Sequence, residues 1–213
     1  MRNEYLRRYT DIPALIYLLS ERKITLLDPS SWDDSNDSYF LSKYKQRKKL
    51  NSVLVLCFTQ KVERYHHWRV FAGSSSGVCI RFKREDLLRS LRRSRKGIIA
   101  AAVEYLTLDD IREKPPEIDH LPFVKRHAFI DECEFRVIYG SRTDRATNLD
   151  IPVPLSCISK ITLSPWMPED LEKPMRRMLK SIEGCGSLSI NRSTLVSNEE
   201  WKRIGRSSSG SAH

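Results

Sequence analysis

The chain has 213 residues, 40% of them hydrophobic and 30% charged, which excludes a disordered polymer and provides enough apolar surface for a sizeable core. Its formal net charge of +10 draws phosphate-rich or acidic partners without choosing among DNA, RNA and an acidic protein. No apolar run approaches a membrane span, and the opening MRNEYLRRYTD lacks the apolar core of a signal peptide, so a cytoplasmic protein with no membrane partner is expected. The five cysteines, Cys57, Cys79, Cys133, Cys157 and Cys185, form no CxxC pair and read as reduced, buried thiols rather than disulfides or zinc ligands.

Leu6 to Tyr9 reads as a short first strand carrying Arg7 and Arg8. Thr10 or Asp11 then caps a helix reaching Arg22, in which Ile12, Leu15, Ile16 and Leu19 recur at helical spacing and Pro13 is tolerated in the first turn. Ile24 to Leu27 is a further apolar run. DPSSWDDSNDS, dense in turn formers, predicts a loop around Trp32 leading into a helix over 39–49. SVLVLCFT, 52–59, is almost continuously apolar and β-branched, as a strand buried on both faces requires. Next come His66, His67, Trp68 and Arg69. GSSSG, 73–77, predicts a flexible turn into a strand over Val78 to Phe82, with the strands on either side of this connection pairing.

Lys83 to Lys96 predicts a helix whose Leu87, Leu88 and Leu91 form a narrow stripe beneath a cationic surface, suited either to a phosphate backbone or to simple solubility. Ile98 to Tyr105 is a strand candidate, and the prolines of LDDIREKPPEIDHLP predict a broken connection. Lys125 to Arg136, KRHAFIDECEFR, reads as a strand with Glu132, Glu134 and Arg136 on one face and Cys133, Phe135 and Val137 on the other. Same-face residues stand roughly 7 Å apart, so the charged three suit either one extended polar ligand or a solvent-exposed strand face. After this central strand, which runs to Tyr139, 140–150 predicts a polar hairpin or insertion. IPVPLSCISKITL holds two short strand-like runs, Pro168 to Ile182 a helix bent at Pro174, and SLSINRSTL a segment closing the sheet. The expected architecture is a single α+β domain over 1–205 with a central mixed or antiparallel β core. A disordered tail over 206–213 removes His213 from any site.

Glu132 and Glu134 can act as a carboxylate pair where positive charge develops as a glycosidic bond breaks. Two carboxylates on one strand are nevertheless weak evidence for glycoside hydrolysis, in which they flank the bond from opposing positions. His66 and His67 are adjacent, a poor metal geometry, and Asp33, Asp34 and Asp37 lack the ligand order of a calcium loop. Trp68 with Arg69 can present an aromatic plane and a cation to a base or nicotinamide ring, and Arg7 or Arg8 can meet a diphosphate.

The order of these pieces resembles the bacterial family called domain of unknown function 2971, over residues 5–165. The resemblance is carried by Tyr5 to Tyr9 and by the loop at Trp32, Asp33, Asp34 and Ser35. It continues in Val55 to Phe58, Trp68 and Gly77 to Phe82, and is most diagnostic in Lys125, Phe129, Glu132, Glu134 and Arg136. More distantly, the chain resembles the ADP-ribosyltransferases, particularly compact bacterial toxins that modify nucleic acid. That resemblance implies their compact fold, NAD as cosubstrate, a DNA or RNA acceptor and a toxin's place in phage defence. It implies further that Arg8 or Arg7 holds NAD, that Trp68 lies by nicotinamide, and that Glu134 stabilises the ribosyl cation, with Glu132 as upstream partner and Arg136 organising the carboxylates. The alternatives are a noncatalytic module binding nucleic acid or an acidic protein, and a nuclease using the acidic loop and Glu132.

Overall fold

The computed structural model describes residues 4–207. The uninterrupted apolar run 52–59 becomes the strand around which the sheet is organised, because burial on both faces suits only an interior strand. In chain order the first half comprises β1 (Tyr5–Asp11), α1 (Ile12–Glu21), β2 (Lys23–Leu27), α2 (Ser35–Arg47), β3 (Ser52–Thr59), α3 (Tyr65–Phe71), β4 (Gly77–Lys83) and α4 (Arg84–Ser94). The second half comprises β5 (Ile98–Ala102), β6 (Glu104–Leu106), α5 (Leu108–Glu113), β7 (Val124–Arg126), β8 (Glu134–Ser141), β9 (Asn148–Pro152), β10 (Ile158–Leu163), α6 (Glu169–Ser181), β11 (Ile190–Arg192) and α7 (Glu199–Ser207). This is an α+β domain with a mixed sheet. All its strand pairs are antiparallel except β10 with β11, and β6 and β7 form a separate parallel pair.

β8 pairs with every residue of β3 from Ser52 to Thr59 and so occupies one edge of it, with β5 beyond. The other edge is shared. β1 meets it only at Arg7 opposite Thr59, and β2 only at Leu27 opposite Val55. β1 instead pairs along its full length with β4, and β2 with β9. The sheet is therefore two well-paired halves that diverge along one side of β3. Asp11 caps α1 by accepting from the Ala14 amide at 2.9 Å, and the helix ends at Arg22 in the left-handed region, φ 56°, so β1, α1 and β2 make a tight turn across the split.

One face of the sheet packs the main core, in which Leu54, Leu56, Phe58, Phe135 and Val137 meet Leu15, Leu19, Leu87 and Leu91 from α1 and α4. The opposite face carries two smaller clusters. Tyr9 and Cys79 lie with Trp68 and Ala72 at α3, while Val53, Val55 and Ile138 lie with Leu41 of α2. Between these clusters the same face presents Arg7, Cys57, Thr59, Glu134 and Arg136, the polar centre of an otherwise apolar layer.

Several elements depart from the sequence reading. β3 and β4 do not pair, because β1 lies between them. The expected strand Lys125 to Arg136 is interrupted: β7 ends at Arg126, a 3-10 helix spans His127–Glu132, and Cys133 turns left-handed at φ 44° before β8 begins at Glu134. Apolar and charged residues alternate across this break as they would along a strand, so periodicity alone does not reveal it. Ile98 to Tyr105 divides at Val103, whose N–H donates to the Glu134 carbonyl at 3.0 Å. α2 starts at Ser35 because Asp34 caps it, and α5 forms within the expected broken connection because Thr107 and Asp110 make a capping box. α7 takes in Arg206 and Ser207 from the expected tail, and the rest of that tail, with His213, lies outside the described residues.

Candidate functional site

Five charged side chains from four elements meet where the sheet divides. Arg136, fully buried, donates from Nε and Nη2 to the two carboxylate oxygens of Glu134 at 2.7 and 2.8 Å. It also donates from Nη1 and Nη2 to Asp37 at 2.8 and 2.7 Å, and from Nη1 to the Pro122 carbonyl at 2.9 Å. Lys125 completes the cluster, bonded to Glu132 at 2.7 Å and standing 3.8 Å from both Asp37 and Glu134. Its ammonium lies over the Phe129 ring and the Arg136 guanidinium over Trp32. Three carboxylates against two cations leave one formal negative charge inside the protein.

The turn at Cys133 brings Glu132 into this group despite the broken strand. Thr59 donates from Oγ1 to the Glu132 carbonyl at 2.6 Å, and the Gln60 amide donates to the Cys133 carbonyl at 2.9 Å, so both flanks of the turn are tied to the end of β3. The Glu134 amide donates to the Tyr105 hydroxyl at 2.7 Å. Glu132 and Glu134 thus meet through Lys125, not through strand alternation.

The two glutamates differ electrostatically. Burial pushes the Glu134 carboxyl up, but the charge and hydrogen bonds of Arg136, aided by Lys125 and the Cys57 thiol, outweigh it and hold Glu134 below its ordinary value. At Glu132 burial wins over the Lys125 contact, and at Asp37 it wins over Arg136, so both carboxyls are raised. Lys125 is held up by Glu134 and Glu132 against the opposing effect of burial. Cys57 is raised well above a free thiol by burial and then by the Glu134 charge.

Of the remaining expected site residues, Arg7 shares the face of Glu134, whereas Arg8 alternates with Leu6 onto the other face of β1. Arg7, Thr59 and Glu134 occupy one rung across β1, β3 and β8. Arg7 donates from Nη1 to the Lys61 carbonyl at 3.0 Å, and Arg8 from Nη1 to the Cys57 carbonyl at 3.4 Å. Cys57 therefore joins Arg8, through its carbonyl, to Glu134, through its thiol. Trp68 stands apart from this cluster. Its ring is fully buried on Tyr9, edge to face at 5.0 Å, and its Nε1 donates to Glu63 at 2.8 Å. Next to it, His67 bonds the Asp131 carbonyl through Nε2 at 3.0 Å. In this geometry Trp68 anchors α3 to the sheet and offers no open face to a planar ring.

Asp37, Lys125, Tyr105 and Cys57 belong to the cluster although sequence reasoning gives none of them a role in transfer. Lys125 is visible in the charged motif, whereas Asp37 reads as one acid of a turn and Tyr105 as the end of a strand. Among the described residues no group of three or more His, Cys, Asp or Glu side chains is arranged to hold a metal ion, because Arg136 and Lys125 stand between the carboxylates. No helix among them is long and apolar enough to cross a membrane.

No family model matches the chain, and no curated protein matches it. Among solved structures it is similar to Thermus sp. 2.9 DarT in complex with NAD+, with a TM-score of 0.47 and 10% identity over 91% of this chain and 96% of that one. The same protein in complex with ADP-ribosylated ssDNA gives a TM-score of 0.47 and 9% identity over 91% and 95% of the two chains. With carba-NAD+ the values are 0.46 and 10%, over 91% and 97%. This is a remote likeness of fold, and it assigns neither a residue nor a reaction to this chain.

Proposed function

We propose that the protein is an NAD-consuming ADP-ribosyltransferase acting on a nucleic acid or a nucleotide-containing acceptor. The observation that carries this reading is the shared rung of Arg7, Thr59 and Glu134 beside the split between β1 and β3. Two strand spacings separate Arg7 from Glu134, roughly 10 Å between backbones, a span that one extended dinucleotide covers. Arg7 supplies planar donors to a diphosphate on the face that carries Glu134, and Glu134 presents a fixed negative charge to a ribosyl carbon that becomes cationic.

The divergent carboxylates suggest a division of labour. Glu134, held ionised by Arg136, stabilises positive charge as the bond from ribose C1′ to nicotinamide breaks and its electron pair leaves with the nicotinamide nitrogen. Glu132, raised by burial, is the better acceptor for the proton lost when an acceptor atom bonds to C1′. Arg136 keeps Glu134 in place. Trp68 acts in this scheme by fixing α3 over β1, and reaches nicotinamide only if α3 moves.

One observation favours a second reading. Both oxygens of Glu134 are engaged by one guanidinium, as in a purely structural ion pair, which fits a noncatalytic binding module. Incubation with NAD and single-stranded DNA, RNA or protein separates the two: transfer releases nicotinamide in step with acceptor modification, whereas a binding module retains nucleic acid and leaves NAD intact.

A further inference from the structure

The end of the sheet remote from Glu134 carries a concentration of cations that the proposed chemistry does not use. The C-terminal turn of α4 supplies Arg92 and Arg93, followed by Lys96; the β8 to β9 loop supplies Arg142 and Arg145; the turn after α2 supplies Lys49. All six are exposed and none makes an ion pair among the described residues. The α4 arginines lie outward because Leu87, Leu88 and Leu91 turn the opposite face of that helix into the core.

These three segments are tied into one surface. Arg95, just beyond α4, donates to the Tyr139 hydroxyl at 2.8 Å and pairs with Asp144, the acid within the loop. Gly97, at φ 84°, lies so close to Gly140 that a Cβ there would stand 3.2 Å from its carbonyl oxygen. The Asn51 amide donates to the Ser141 carbonyl at 2.7 Å, and its side chain donates to the Arg142 carbonyl. Within the loop, Ser141 Oγ accepts from the Asp144 amide at 2.9 Å and Ser52 Oγ from the Ala146 amide at 2.8 Å. The basic loop is thus fixed before any partner arrives, and its one acid is already engaged.

We infer that this surface docks the phosphate backbone of a nucleic acid strand. Four of the six cations are arginines, whose planar forks match phosphate oxygens. The surface lacks the apolar centre of a protein hot spot: the flanking exposed aliphatics, Leu27 and Ile99, sit on β2 and β5, on either side of β3 and β8. The inference builds on the nucleic-acid acceptor of the proposed function but does not require the transfer reaction. Seven residues of β8 separate Glu134 from Ser141, roughly 23 Å at 3.3 Å per residue.

The test is fluorescence anisotropy of a labelled single-stranded 20-mer across a salt series without NAD. It compares the wild type with a variant carrying Arg92→Gln, Arg93→Gln, Arg142→Gln and Arg145→Gln. A control carries Lys173→Gln, Arg177→Gln, Lys180→Gln and Arg203→Gln, the same charge change on α6 and α7. The patch variant is expected to bind at least about tenfold more weakly, with the slope of log affinity against log salt shallower by about 0.7 for each phosphate that the protein no longer neutralises. The control retains wild-type binding. Unchanged binding by the patch variant, or equal loss in the control, overturns the inference. Competition by a polyglutamate peptide as effective as DNA overturns it in favour of an acidic protein. Nicotinamide release without nucleic acid, followed separately, reports on the chemistry alone, so failure of either reading is distinguishable from failure of the other.

Discussion

Arg136 and Asp37, 99 residues apart in the chain, form two parallel hydrogen bonds of 2.8 and 2.7 Å that lock α2 onto the polar face of the sheet. The same guanidinium holds Glu134, so a single side chain links the fold to the candidate site. Replacing it with a residue of similar length and no charge, Arg136→Met, strands two buried carboxylates. The expected loss is about 3–5 kcal/mol, read from the denaturant midpoint at neutral pH. Asp37→Asn keeps the shape and part of the hydrogen bonding, and is expected to cost about 1–3 kcal/mol. An Arg136→Met protein as stable as the wild type would show that the guanidinium is not the link.

The two glutamates are expected to give opposite pH dependences. Glu134 is depressed in the folded state, so its contribution is present above the unfolded carboxyl pKa and is lost as pH falls through the lower folded value. Glu132 is raised, so its contribution is full below the unfolded pKa and is lost as pH rises through the folded value. Relative to wild type, Glu134→Gln should therefore become less favourable as pH rises through the carboxylate range, and Glu132→Gln more favourable. Denaturation of the three proteins from pH 3 to 7 measures both slopes; slopes of the same sign contradict the assignment.

Much of this arrangement is legible from residues alone. SVLVLCFT requires an interior strand, and the leucines of α4 fix which side of that helix faces the core, because burial leaves a direct mark on composition and period. The charged motif likewise marks Glu132, Glu134 and Arg136 as one group. Its geometry is not legible: the left-handed turn at Cys133 depends on tertiary bonds from Thr59 and Gln60, which no local propensity encodes. Asp37 and Tyr105 escape a sequence reading for the same reason, since their partners are remote in sequence. Trp68 illustrates the converse, a residue type suited to stacking that is sealed against Tyr9 and Cys79.

Trp68 is expected to act through stability rather than through direct contact with a ligand. Trp68→Ala should cost about 3–5 kcal/mol, whereas Trp68→Phe, which keeps most of the packing and loses the bond to Glu63, should cost about 1–2 kcal/mol. NAD affinity of the Phe variant, measured by calorimetry below its melting temperature, should stay within about twofold of wild type. A tenfold loss of affinity in a stable Phe variant would restore Trp68 to the binding surface.

Arg7 tests the split itself. Arg7→Lys retains a charge but removes the planar fork that reaches the Lys61 carbonyl, and is expected to weaken NAD binding about tenfold with little change in melting temperature. Equal weakening by Lys23→Gln, at the opposite end of the α1 turn, would point to general charge instead.

Transfer is expected to depend on the Glu134 carboxylate. Mass spectrometry of a single-stranded DNA or RNA acceptor after incubation with NAD should show the addition of one ADP-ribose by the wild type. Glu134→Gln should reduce that addition by about 10²–10³, Glu132→Gln should reduce it by less, and both variants should remain folded. Transfer by Glu134→Gln at the wild-type rate would show that Glu134 is not that carboxylate.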